Sequence, residues 1–174
     1  MPLFSRRVPV PDEVLATLHL RSGERVLAAA TTVDGGYLVA TDRQILLPQR
    51  GGHRALPWER VERASWDRES GVLAIVEAAR PDQRATEHLM RVEDPGHLVD
   101  VVREQVNRSV VLTRRLTVQD QLGIRVTGRR RPVGDDRPGL GWTVAVDPGL
   151  DLADPDVKAR VDELVAAVRS EVGE

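Results

Sequence analysis

The spacing of apolar positions changes along the chain, and each change marks a new element. Val14, Leu15 and Leu18 form a short helical stripe just after Pro11, where a helix first turn tolerates proline. Asp12 and Glu13 suit the positive end of that helix, and Ser22-Gly23 stops it. A helix of this length holds only by docking on something else. From Glu24 to Val92 the pattern is strand-like. Arg25 to Thr32 is β-prone and alanine-rich, and Asp34-Gly35-Gly36 is a hairpin signal because these residues tolerate positive φ. Tyr37–Thr41 and Ile45–Leu47 read as strands either side of a polar Asp42-Arg43-Gln44 turn. Gln49 to His53 reads as a loop, and Leu56 to Trp66 as one strand with Pro57 near its start. Asp67 to Gly71 turns the chain, Val72–Glu77 is a strand, Arg80 to Gln83 turns again, and Thr86–Val92 is a further strand. Short strands so spaced predict an antiparallel sandwich or barrel.

Helical spacing then returns. Asp94 reads as an N-cap and Pro95 as a first helical position, with Leu98, Val101, Val102 and Val106 on one stripe and Asn107 to Ser109 at the end. Beyond it, Val110, Leu112, Leu116 and Val118 share a parity, as do Leu122, Ile124 and Val126, and Leu140, Trp142, Val144 and Val146. Each set gives one apolar face to a strand. Val106, Val110 and Thr113 keep a helical extension open as the alternative for 110–118. Arg131 to Gly139 is a long polar connector. Asp154-Pro155-Asp156 opens a last helix, where Val157, Val161, Leu164, Val165, Val168 and Val172 make the clearest amphipathic stripe in the chain. The expected organisation is an arm with a short helix over 1–23, a β-rich α+β domain over 24–108, and a β-β-β-α extension over 109–174 packed on it and sharing its core.

Composition narrows the function classes. The 174 residues suffice for one domain with a substantial addition, 41% hydrophobic and 30% charged, as soluble proteins are. Without cysteine there is no disulfide, thiolate metal site or cysteine nucleophile. No apolar run approaches the roughly 20 residues of a membrane span, and Met1 to Pro11 lacks the apolar segment of a signal peptide, so the expected location is the cytoplasm. Twenty-five basic against 27 acidic residues leave a net charge of −2, which argues against polyanion binding by the chain as a whole. Lys158 is the sole lysine. Such a bias follows from GC-rich coding, so arginine abundance by itself says little about phosphate binding.

Residues 24 to about 108 resemble the bacterial pleckstrin-homology-like (PH-like) domains. The resemblance rests on Gly23-Glu24-Arg25-Val26-Leu27, on Leu38-Val39-Ala40-Thr41-Asp42-Arg43 with an apolar strand after it, on Leu56-Pro57-Trp58-Glu59-Arg60-Val61, and on the Gly71 turn before Leu73-Ala74-Ile75. It covers about half the chain, and Ser109 onward has no counterpart. It implies a bent seven-stranded sandwich closed by the helix from Pro95, serving as a binding scaffold without a catalytic site. Eukaryotic relatives in fold often hold phosphoinositides on a basic loop between the first two strands. Here that loop, Thr32 to Gly36, carries Asp34 and no basic residue, which argues against the lipid site. What remains is protein binding or self-association, an analogy of fold and not of site.

Candidate chemistry is sparse. None of the serines sits in a Gly-x-Ser-x-Gly elbow. His19, His53, His88 and His97 form no i,i+3 or i,i+4 pair, although His88 and His97 flank one turn and could meet. No catalytic, cofactor or metal residues are assigned. Asp151, Asp154 and Asp156 lack the glycine and later glutamate of a calcium loop, and helix capping accounts for them. Glu59, Glu62, Asp67 and Glu69 alternate with Arg60, Arg63 and Arg68 as charge pairs on a strand face. Gly139-Leu140-Gly141 precedes a strand, not the helix that a nucleotide fingerprint requires. One asymmetry stands out. Arg108 to Arg131 holds seven arginines and one aspartate, whereas Asp147 to Glu174 holds eight acids and three bases. Either the last helix offsets the basic strands, or Arg114, Arg115, Arg129, Arg130 and Arg131 form an anion-binding strip, for nucleic acid or another polyanion. The leading expectation is a non-enzymatic protein-binding or self-associating module. The alternatives are that arginine strip, or an enzyme whose site is assembled from distant residues.

Overall fold

The computed structural model describes residues 10–78, 85–131 and 139–173. It is a mixed α+β protein with three antiparallel sheets. Strands β1 (Val26–Thr31), β2 (Tyr37–Thr41), β3 (Gln44–Gln49) and β4 (Gly52–Pro57) form a four-stranded meander in that order. Strands β5 (Val61–Asp67), β6 (Val72–Glu77) and β7 (Thr86–Arg91) form a second meander. An isolated bridge between Thr32 and Val92 joins the two at one corner, but they do not close into a barrel. The inner faces share one core, in which Leu38, Ile45, Leu56, Trp58, Val61, Leu73 and Ile75 meet Leu98, Val102 and Val106 of helix α2 (Leu98–Ser109).

The first sheet is covered on its outer face too. Ala29, Val39 and Leu46 point away from the sandwich and are buried under Leu18, with Val14 and Leu15 of α1 (Asp12–Thr17) beside it. This explains why β1 to β3 read as nearly continuous apolar runs: a strand buried on both sides needs no polar alternation. The docking target of the short helix is therefore the back of the sheet. Pro11 stands just ahead of α1 rather than in its first turn, and its carbonyl accepts from Val14 and Leu15 N at 2.9 Å each.

α1 ends at Thr17, ahead of the stop expected at Ser22-Gly23, and three further local expectations are corrected. Leu56 to Trp66 is not one strand. Pro57 ends β4, Trp58–Arg60 makes a 3-10 turn, and β5 starts the other sheet at Val61. The corner is held by the Trp58 indole, which donates to Thr41 O at 3.0 Å. Gln49 to His53 is not a long loop, since β4 already begins at Gly52 and pairs with β3 to the end (Gln49 with Gly52). Asp94 and Pro95 do not open α2. Asp94 accepts from Gly96 N and Pro95 O from Leu98 N, a turn ahead of a helix that starts at Leu98 with His97 at its N-cap. Gly96 at φ 50° completes that turn, a conformation glycine adopts freely. The turn expected over Arg80 to Gln83 lies outside the described residues, as does most of the Arg131 to Gly139 connector.

Glu77 joins the two sheets at the end of β6. Its carboxylate, almost fully buried, accepts from Arg54 on β4, Arg60 in the corner and the ring nitrogen of His88 on β7. Four charged or ionisable groups thus fill one seam of the sandwich.

Helix α2 runs without a linker into β8 (Val110–Gln119), which settles 110–118 as strand. β9 (Leu122–Arg129) lies between β8 and β10 (Gly141–Val146). Helix α3 (Pro155–Ser170) covers one face, with Asp154 capping Asp156 N as its sequence implies. Ile124, Val126, Val161 and Val168 centre a separate apolar cluster, rather than a continuation of the sandwich core. The opposite face meets the sandwich through polar contacts. Arg125 reaches Glu62, Gly141 packs on the Glu59 side chain, and Arg129 crosses the junction.

Candidate functional site

The β2–β3 turn is built by its own side chains. The Thr41 hydroxyl accepts from Arg43 N and Gln44 N, and lies 2.7 Å from Glu24 Oε1, which also accepts from Gln44 Nε2. Asp42 accepts from Arg25 N and Arg25 Nε, tying the start of β1 to the turn. Burial alone would raise the Asp42 pKa, but the Arg25 amide and guanidinium outweigh it and hold the carboxyl below its usual range. These bonds leave the Arg43 side chain outside the network.

Against this turn lies one stripe of α2. Val101, Glu104, Gln105 and Arg108 recur at three- to four-residue spacing and face the turn, while Leu98, Val102 and Val106 face the core. Between stripe and turn runs a groove of about 560 Å³, lined also by Arg25, Leu27, Arg43 and His97. A smaller compartment of about 160 Å³ shares Asp42, Gln105 and Arg108 with it and adds Trp58, Ser109, Arg130 and Arg131. Together the two adjoining compartments hold five arginines and two carboxylates.

Some of these groups are committed and others are not. Arg25 pairs with Asp42, Arg108 with Glu104, and Arg131 donates to Leu140 O. His97 contacts Leu27 O at 3.1 Å through Nε2. Among the described residues, no side-chain hydrogen bond or ion pair engages Arg43, Arg130 or Gln105. Gln105 is the notable member, because it is only 9% exposed. Its stem is buried while its carboxamide opens onto the groove, where it can hydrogen-bond water or a ligand.

The five arginines singled out from the sequence do not share a surface. Arg114 and Arg115 point to opposite faces of β8 and are paired, with Glu171 just past α3 and with Asp147 after β10. The expected offset was by the last helix, but these two acids flank α3 and do not belong to it. Arg129 is 4% exposed and structural. Its guanidinium donates to Val106 O, Ser109 Oγ and Glu62 O. Burial lowers its pKa from the usual arginine range, with Glu62 opposing and Arg125 adding to the effect. Only Arg130 and Arg131 reach the groove.

The other candidates separate as well. His88 contacts Glu77 and His97 contacts Leu27 O, so the two have different partners. Among the described residues no three His, Asp or Glu side chains come together as metal ligands. No described helix is long and apolar enough to cross a membrane. Trp58 lies in the sandwich core, Trp66 packs against that core, and Trp142 packs in the α3 cluster under Arg169, 5.7 Å from the ring centroid.

Comparison of the chain with protein-family models, curated proteins and solved structures finds no match in any of the three. The groove therefore rests on its own geometry. Its sequence signal was present but divided. Arg43 stood in a turn, and Gln105 and Arg108 stood on the polar flank of an amphipathic helix about 60 residues later.

Proposed function

We infer that this chain is a non-enzymatic binding module of PH-like plan, acting by protein–protein interaction or self-association. The observation that carries this reading is the α2 groove, where Arg43, Arg130 and a buried Gln105 present hydrogen-bonding capacity that the described fold does not use. Seven strands divided four and three, followed by one helix, support the PH-like reading. The Thr32–Gly36 hairpin, at the far end of β2 from the groove, is closed by its own Thr32 and Gly36 hydrogen bonds and carries no cation. That supports a protein ligand over a phosphoinositide. Edge strands offer a route to self-association, with Leu89 of β7 and Val111 of β8 exposed.

The test is recovery of partners by the tagged full chain from native lysate, with and without nuclease, together with sedimentation over a range of concentrations. A nuclease-resistant protein partner or a concentration-dependent oligomer is expected. A strict monomer that retains no protein overturns the reading.

A further inference from the structure

We propose that the α2 groove binds an extended acidic segment of another protein, with Gln105 reading the peptide backbone and arginines at either end reading carboxylates. The inference rests on the binding-module reading above and gives it a site and a ligand class.

Three observations converge on this occupant. The first is shape. Two adjoining compartments share Asp42, Gln105 and Arg108 as lining, with Leu27 and Val101 as apolar wall, so one ligand can touch both. An extended chain, whose side chains alternate in direction, is a ligand that can occupy two adjoining compartments at once. The second is charge. Arginines exceed carboxylates by three along the groove, with Arg43 and Arg130 unpaired among the described residues. The third is the Gln105 carboxamide, which opens onto the groove from a largely buried side chain. Gln105 lines both compartments and has no partner among the described residues. A carboxamide both donates and accepts, so it can bridge a peptide C=O and N–H, which a phosphate cannot answer because it offers acceptors almost alone.

The same observations disfavour other anions. Asp42 and Glu104 stand inside the groove and repel a compact polyphosphate, whereas a peptide can place apolar or neutral residues beside them. A single-stranded nucleic acid needs exposed aromatic faces. Trp58, the aromatic side chain lining the smaller compartment, is buried with its indole N–H committed to Thr41 O.

The probe is a fluorescein-labelled peptide of about ten residues, alternating Asp or Glu with Val or Leu, extended at roughly 3.3 Å per residue. Anisotropy is read against the full chain, with a Lys-for-Glu peptide as control. The acidic peptide is expected to bind and the basic one not. Arg43→Ala with Arg130→Ala should weaken binding about tenfold or more, since each removes a charge-assisted hydrogen bond. Lysine at both positions should restore part of it. Gln105→Leu, which keeps the packing volume, should weaken it about fivefold without changing the salt dependence, because no charge is lost. Amide chemical shifts should move at Arg43, Gln105, Arg108 and Arg130.

Binding unchanged by Arg43→Glu with Arg130→Glu, or shifts confined to another surface, overturns the proposal. So does binding of inositol hexakisphosphate or an oligonucleotide at these residues with no peptide binding. The charge-reversed chain is also run in the lysate experiment. If it still captures the wild-type partner, the groove is wrong and the binding-module reading stands. If the wild type captures nothing and stays monomeric, that reading fails first.

Discussion

Arg129 and Arg130 are neighbours in sequence and opposites in environment. The first ends β9, buried at the junction between the sandwich and the third sheet, with acceptors from α2, Ser109 and β5 around it. The second is exposed over the groove, with only its backbone amide engaged, to Ser109 O at 2.6 Å. The junction spends its arginine on structure, and the groove leaves one available. The difference teaches that a run of cations is not a surface. Arg129 is still in the strand and points into the junction, whereas Arg130 and Arg131, past the end of β9, both turn to the groove.

The sharpest way to break this comparison is Arg129→Ala. It strips charged donors from buried acceptors and should cost about 3–4 kcal/mol in urea unfolding. A loss below about 1 kcal/mol, the range of an exposed position, would make Arg129 no more structural than its neighbour. Glu77→Gln tests the other polar seam of the sandwich. It keeps the shape but removes the charge facing Arg54 and Arg60, and should cost about 2 kcal/mol, discounted because Arg54 is half exposed.

Asp42 gives a smaller effect with a definite sign. Its folded pKa is depressed, so its contribution is present above the unfolded value and lost as pH falls through the folded one. Wild type should therefore exceed Asp42→Asn in stability at neutral pH, and the two should converge as pH drops below about 4. A gap that persists at lower pH would locate the effect elsewhere. Arg130→Ala should be the smallest, within about 0.5 kcal/mol of wild type by the same urea assay. That near-silence in stability, set beside weaker peptide binding, is what separates the groove from the junction.

Local chemistry made much of the fold legible. The bounds of β2 and β6 follow directly from the apolar runs Tyr37–Thr41 and Val72–Glu77, and α3 from its Asp154 cap and valine stripe. Local rules failed where a distant partner decided. Leu56 to Trp66 has strand composition throughout, but the Trp58 indole is drawn to Thr41 O and turns the chain into the other sheet. Asp94-Pro95 has the form of a helix start, yet its hydrogen bonds close a turn instead. The groove was least legible, because Arg43, Gln105 and Arg130 meet only through the docking of α2 on the β2–β3 corner and its continuation into the third sheet. The arginine cluster was visible as composition, but not which member is buried.

The direct passage from Ser109 of α2 to Val110 of β8 leaves no slack between the sandwich and the third sheet. Arg43 belongs to one body and Arg130 to the other, and the groove is their common wall. Any tilt of the third sheet against the sandwich would alter the spacing between Arg43 and Arg130.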